Sequence, residues 1–261
     1  MSPQRIAGVF LILLGIASLR ADEVLQSLKG RCSIRTSTRG DKLELRLERG
    51  DCVDDRDCHD TRTQEAQDAF TGFSMADLNR EGARAEAVLK APAGTLTCSG
   101  MIHNSELSGD FTFEPNKEFV ERMRGLGIRG LDSEKLEVYT LFHIEAGWVQ
   151  SLQTAGVTGI DASNLIAMKI FHVDSEYVHS LNSLGYATPD AQKLIALKVQ
   201  KVDPAEVREI RALGYQPTLD ELIQMRIFKV TPEFIQRMKA RGFEDLTISK
   251  LVKIRIFKLD E

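Results

Sequence analysis

The sequence predicts an α+β protein: a small antiparallel β domain followed by an α-solenoid of five two-helix repeats. Three observations lead there. Glycines recur at Gly127, Gly156, Gly185, Gly214 and Gly242, spaced by 29, 29, 29 and 28 residues, and a fixed period of this size marks stacked supersecondary units. Each glycine follows a helix-capping residue at a constant distance and precedes an apolar residue. Upstream of residue 115 the apolar pattern instead alternates with period two, and all four cysteines lie there.

The chain opens with a basic residue, Arg5, and an uncharged apolar run, Ala7–Ala17. The run is short for a membrane span and reads as a secretory signal peptide, with 1–21 as its extent. An uncleaved anchor is the competing reading. Export, to the periplasm or outside the cell, gives the cysteines a meaning, because an even number in an oxidising compartment favours disulfides. Cys52 and Cys58 are near enough in sequence to close a small loop, in which case Cys32 and Cys98 pair across strands. All three pairings of four cysteines remain open at this stage.

Residues 22–114 form the predicted disulfide-containing β domain. Leu43, Leu45 and Leu47 alternate with Lys42, Glu44, Arg46 and Glu48, the pattern of a strand with one buried face. Further short strands are expected at Cys32–Thr36, Ala85–Leu89, Gly94–Cys98 and Gly109–Phe113, with a crossing segment at 70–75 and a short helix after it. The stretch Asp51–Asp60 carries carboxylates, cysteines and His59. Its spacing fits no EF-hand, and oxidised cysteines are lost as ligands, so it is read as a solvated acidic loop rather than a metal site.

Residues 115–261 contain the repeats. Helix A of each unit is expected to begin after Asn116, Glu145, Asp174, Asp203 and Thr231, four of which are good N-caps. Pro204 and Pro232 stand at the first helical position, where proline is tolerated. The glycine ends helix A in the left-handed conformation. Helix B follows, with expected caps at Asp132, Asp161, Asp190, Thr218 and Thr247. Four residues beyond each cap stands a leucine: Leu136, Leu165, Leu194, Leu222 and Leu251. A single hairpin cannot bury its apolar side, but five stacked ones can. A compact helical globule is the alternative.

The run Ala93–Gly100, then Gly109–Asn116 leading directly into repeats with phrases such as Val230-Thr231-Pro232-Glu233-Phe234, resembles the extracytoplasmic tail of bacterial membrane metallopeptidases of the β-lactam-sensor, antirepressor class. The resemblance spans residues 85–261. It implies an envelope module of sensory type. It covers no peptidase domain and no membrane helices, so it implies no catalysis.

The chemistry-bearing residues point the same way. There is no His-Glu-x-x-His, no nucleophile elbow and no phosphate-binding glycine loop, so neither enzyme activity nor a cofactor is expected. Acidic residues outnumber basic ones before residue 115 and balance them after it, which argues against a nucleic-acid partner. Two basic columns stand out in helix B. Four residues past the fixed leucine are Thr140, Lys169, Lys198, Arg226 and Arg255, and seven past it are His143, His172, Lys201, Lys229 and Lys258, with Phe142, Phe171, Gln200, Phe228 and Phe257 between. On a straight helix these positions fall in the apolar sector, so the helix is expected to end near them. Cations there also offset the helix dipole. The functional expectation is a non-catalytic interaction module that binds a protein with an acidic surface through Lys169, Lys198, Arg226, Arg255, His172, Lys201, Lys229 and Lys258. The alternative is a ligand-binding or sensory β domain carried on a helical scaffold.

Overall fold

The computed structural model describes residues 25–38, 40–51, 56–187 and 189–259. The expected signal segment and Cys52 lie outside them. Among the described residues no helix is long and apolar enough to cross a membrane.

The β domain is one antiparallel sheet of seven strands, β1 Leu28–Thr36, β2 Leu43–Asp51, β3 Arg56–Glu65, β4 Phe70–Thr71, β5 Arg84–Ala91, β6 Gly94–His103 and β7 Glu106–Pro115. A short 3₁₀ turn at Met75–Asn79 follows β4. The order across the sheet is β3-β2-β1-β7-β6-β5-β4, so the first and last strands pair at its centre. The alternation read in the sequence holds: Leu43, Leu45, Leu47, Leu96, Phe111 and Phe113 all point to one buried face.

One strand departs from the expectation. Arg56–Glu65 is an edge strand, not part of a solvated loop. It has no apolar face, so its pairing rests on backbone hydrogen bonds to β2 and on cross-strand charge. Arg46 on β2 meets Asp60 at 2.8 Å, and Arg62 meets the same carboxylate at 3.1 Å. The two guanidiniums hold the Asp60 carboxyl down to about 2.

The disulfide joins Cys32 on β1 to Cys98 on β6, with a Cα–Cα distance of 6.0 Å. Strand β7 lies between them. In a flat sheet, strands two apart are about 9–10 Å distant, so the sheet is sharply folded here. The sequence allows the fold by removing side chains beneath it. Cys32 faces Gly109, and Gly109 faces Gly100. A Cβ on Gly109 would lie 2.0 Å from the Ser99 carbonyl oxygen, and one on Gly100 would lie 2.1 Å from that of Ser108. Cys58 is also disulfide-bonded.

Ten helices follow among the described residues. The A helices are α1 Lys117–Gly125, α3 Ala146–Thr154, α5 Ser175–Ser183, α7 Pro204–Ala212 and α9 Pro232–Ala240. The B helices are α2 Ser133–Leu141, α4 Asn164–Ile170, α6 Ala191–Val199, α8 Leu219–Ile227 and α10 Ile248–Ile256. The A helices pack in one row, and α4, α6, α8 and α10 pack in a second. This is the α-solenoid. The expected A caps are all observed, and Asn116, Asp174, Asp203 and Thr231 accept from amides in their first turns. Glu145 makes no such bond, because its longer side chain fits the cap poorly. In unit two Asp161 accepts from the amides of Ser163 and Asn164, while the regular helix starts only at Asn164. The Asn164 side chain is turned back, accepting from the Asp161 amide and donating to the Gly159 carbonyl, so that Asp161 and Asn164 cap each other reciprocally.

Each A helix ends at its repeating glycine, with φ of 82, 92, 78, 93 and 81° in chain order. The paired bonds of a Schellman cap are present; for example, the Val157 amide donates to the Leu152 carbonyl and the Gly156 amide to that of Gln153. The fixed leucines of helix B are at most 2% exposed. Stacking is reinforced by side chains that reach back one repeat: Gln153 Nε2 donates to the Leu126 carbonyl at 2.7 Å and Lys239 Nζ to that of Leu213 at 2.9 Å.

The sheet closes the first end of the solenoid. Helix α2 lies against β5, β6 and β7, and one apolar core runs from the sheet through α1 and α2 to Leu165. A second core runs from Leu152 to Ile254.

Two stability predictions follow from these contacts. Gly185→Ala should destabilise by about 1 kcal/mol, purely through backbone strain, since its Cβ would meet nothing within 4 Å; an unchanged urea midpoint would contradict the cap. Replacing Cys32 and Cys98 by alanine should cost about 4 kcal/mol, the loop-closure value for a separation of 66 residues, read as the change in unfolding free energy against the oxidised protein.

Candidate functional site

The candidate site is built from the last turns of the B helices. The same capping geometry recurs there with different residues. His143, His172, Lys201, Lys229 and Lys258 all have positive φ, between 48 and 54°. Each closes a Schellman cap: the Val202 amide donates to the Leu197 carbonyl and the Lys201 amide to that of Lys198, and the other four units repeat the pair. The sequence expectation that helix B ends near its basic positions is thereby met, with the second basic column forming the caps themselves. A left-handed backbone costs an L-residue other than glycine about 1–2 kcal/mol. The A helices avoid that cost with glycine, and the B helices do not.

The first basic column is placed differently. Lys169 Nζ lies 5.2 Å from the Trp148 ring centroid, Lys198 Nζ 4.5 Å from that of Tyr177, and the Arg255 guanidinium 4.4 Å from that of Phe234. In unit four the equivalent partner is a carboxylate, with Arg226 Nη1 at 2.7 Å from Glu206 Oε2. These partners occupy one position, the third residue of helix A in the same repeat. Arg226 and Arg255 also donate to the carbonyls of Gln200 and Lys229 at the end of the preceding B helix. The column is thus half-buried and engaged within and between repeats, as stacking cations and carbonyl donors. In unit one its member is Thr140, fully buried beneath the sheet, where a lysine would be desolvated.

Between the two basic columns lies an apolar one that the sequence reading left unassigned: Leu141, Ile170, Val199, Ile227 and Ile256, five residues past the fixed leucine. Leu141 is 3% exposed and belongs to the core shared with the sheet. Its counterparts are 44, 42, 51 and 47% exposed in chain order. They form an open apolar stripe, flanked by His172, Lys201, Lys229 and Lys258, which are exposed. Among the described residues no carboxylate is paired with these four basic side chains. The carboxylates next to two of them, Asp174 and Asp203, accept from amides of their own helices at 2.7 and 2.8 Å.

Where the sheet meets the stripe there is a cleft of about 400 Å³, walled by Arg62–Glu65 of β3 on one side and by His143, Ile170 and His172 on the other. At its base Glu65, 4% exposed, lies 3.1 Å from His143 Nε2. Hydrogen bonding to that carboxylate raises the His143 pKa above its ordinary value. Among the described residues no group of three or more His, Cys, Asp or Glu side chains is arranged to hold a metal ion. Compared with known proteins, the chain matches no family model, no curated protein and no solved structure.

The raised His143 value fixes a pH dependence. The folded state binds the proton more tightly than the unfolded one, so the stabilisation is fully present below about pH 6.5, the ordinary histidine value. It is lost as pH rises through the higher folded value. The coupling energy between His143 and Glu65, measured in a double-mutant cycle with His143→Gln and Glu65→Gln, should fall as pH is raised through neutrality. A coupling that stays constant across that range would show that the contact is not an ion pair.

Proposed function

We propose that the chain is an exported, non-catalytic interaction module of the bacterial envelope that binds a protein partner through the open ends of its B helices. The observation that carries this reading is the recurrence of exposed apolar residues at one repeat position, Ile170, Val199, Ile227 and Ile256, whose repeat-one counterpart Leu141 is covered by the sheet. Exposed apolar surface in a continuous row is characteristic of binding faces, and solenoids present such rows because each repeat contributes the same position. The buried Cys32–Cys98 disulfide and the apolar N-terminal run support an oxidising destination. The near balance of charge in the repeats speaks for a protein rather than a nucleic acid. The likeness of residues 85–261 to the extracytoplasmic tails of sensor-type metallopeptidases is consistent with a signalling context.

A photoreactive residue at Ile227, in the full chain and in its native compartment, should form a discrete crosslink to another protein. The same group at Glu209, exposed on α7 in the A row, should form none. Equal crosslinking from both positions, or none from Ile227, would remove the basis for the reading.

A further inference from the structure

We infer that the B-helix ends form a docking groove for an extended acidic segment of the partner, with one carboxylate seated at each repeat. The inference rests on the interaction reading above and supplies the chemistry of its partner.

Repeat one already shows the groove occupied. There the three positions are Leu141, Phe142 and His143. Leu141 is buried in the core shared with the sheet, and His143 is paired with Glu65, the last residue of the extended edge strand β3. Repeats two to five present the same backbone, with φ of 51–54° at the cap, and the same order of an apolar residue two before a cation. In these repeats the apolar residue is exposed, and among the described residues the basic side chain is without a carboxylate partner. The cleft between Glu65 and His172 places the occupied repeat beside the first open one. The chain thus carries its own example of what covers this surface: extended backbone bearing a carboxylate that meets the left-handed cation.

The cap residues themselves favour a charge-reading role. A left-handed helix end is met by glycine at all five A positions and by histidine or lysine at all five B positions. A residue other than glycine is retained at every B end, and His143 and His172 line the cleft beside β3. Retained strain of this kind points to a use for the side chain.

The spacing sets the register. Packed helices lie about 8–10 Å apart, and an extended chain of the polyproline II kind advances about 3.1 Å per residue with three residues per turn, which turns every third side chain to the same side. One repeat therefore corresponds to about three residues of the occupant. A segment with an acidic residue at every third position and apolar residues between would meet His172, Lys201, Lys229 and Lys258 in turn while covering the stripe. A lipid surface or a polyanion without apolar side chains would leave the stripe in water.

The test uses the full oxidised chain and a synthetic peptide of four Asp-Val-Thr triplets, with a Lys-Val-Thr peptide and an isomer with all four aspartates at one end as controls. Binding is read by calorimetry and by the emission of Trp148, the only tryptophan, which lies under Lys169 beside the first open repeat. The triplet peptide should bind at low salt and weaken at least ten-fold at high salt, and both controls should bind at least ten-fold more weakly. A variant with His172→Gly, Lys201→Gly, Lys229→Gly and Lys258→Gly keeps the cap backbone. It should melt no lower than the parent while losing at least ten-fold in affinity. Equal affinity for the isomer or the basic peptide, or an undiminished four-glycine variant, overturns the inference. Concentration-dependent self-association that the triplet peptide cannot displace would assign the groove to a second copy and overturn it as well. If no acidic peptide binds but Ile227 still crosslinks to a protein, the acidic-segment inference fails and the interaction reading stands; if neither occurs, both fall.

Discussion

Helices of seven to nine residues are too short to persist alone in water, and the C-terminal half of this chain is built from ten of them. Each leaves carbonyls at its end without intrahelical partners. The left-handed cap resolves this locally: one residue at positive φ returns two amides to the last turn and throws the chain sideways into the next helix. Because the chain turns after every short helix, no unit buries its apolar side alone. The two helices of a repeat meet at contacts such as Phe119 on Tyr139, and the neighbouring repeats supply the rows of A and B helices that complete the burial.

The sheet meets a different difficulty. A row of repeats exposes the apolar side of its first member, and here the sheet covers it. The repeat adapts to that cover. Where other B helices place a cation, α2 has the buried Thr140, and where they place Ile166, Ile195, Ile223 or Val252, α2 has Glu137, 2% exposed and 3.4 Å from Arg49 of β2. Burial raises the Glu137 pKa, and the Arg49 charge opposes the rise. The sheet in turn is folded tightly enough for β1 and β6 to be bridged over β7, which requires that Gly100 and Gly109 have no side chains.

Much of this was legible in the sequence because it rests on local chemistry. Period, caps and glycine termini are set by residue type at fixed spacing, and the alternating leucines of β2 declare a half-buried strand. What was hidden depended on contacts distant in sequence. Apart from Cys58, strand β3 is polar, so nothing in Arg56–Glu65 distinguishes an edge strand from a solvated loop until β2 supplies its partners. The basic columns were visible as columns, but their directions were not. Lys169, Lys198, Arg226 and Arg255 lie on helix A of their own repeats, a contact decided by Trp148, Tyr177, Glu206 and Phe234 some 20 residues upstream. The left-handed backbone of the second column was concealed by residue type, since histidine and lysine do not announce positive φ as glycine does.

The two kinds of helix end differ in backbone as well as in residue type. They share the same hydrogen bonds and the same place at the end of a short helix, and they occur in alternation along one chain, but φ is 78–93° at the A ends and 48–54° at the B ends. The B ends sit at the edge of the left-handed region that L-residues can enter, and the A ends lie beyond it, so the backbone demands glycine more strongly at the A ends than at the B ends. Repetition by duplication would explain a column that copies a single residue, but this column changes from histidine in the first two units to lysine in the last three without becoming glycine. What is kept through that change is a nitrogen base able to carry positive charge, and that is the property the Glu65 carboxylate engages in the one repeat where the surface is covered. A role confined to ending the helix would be served better by glycine. In the proposed docking, the side chain answers to what lies outside the helix, along the apolar stripe that four of the five repeats leave open.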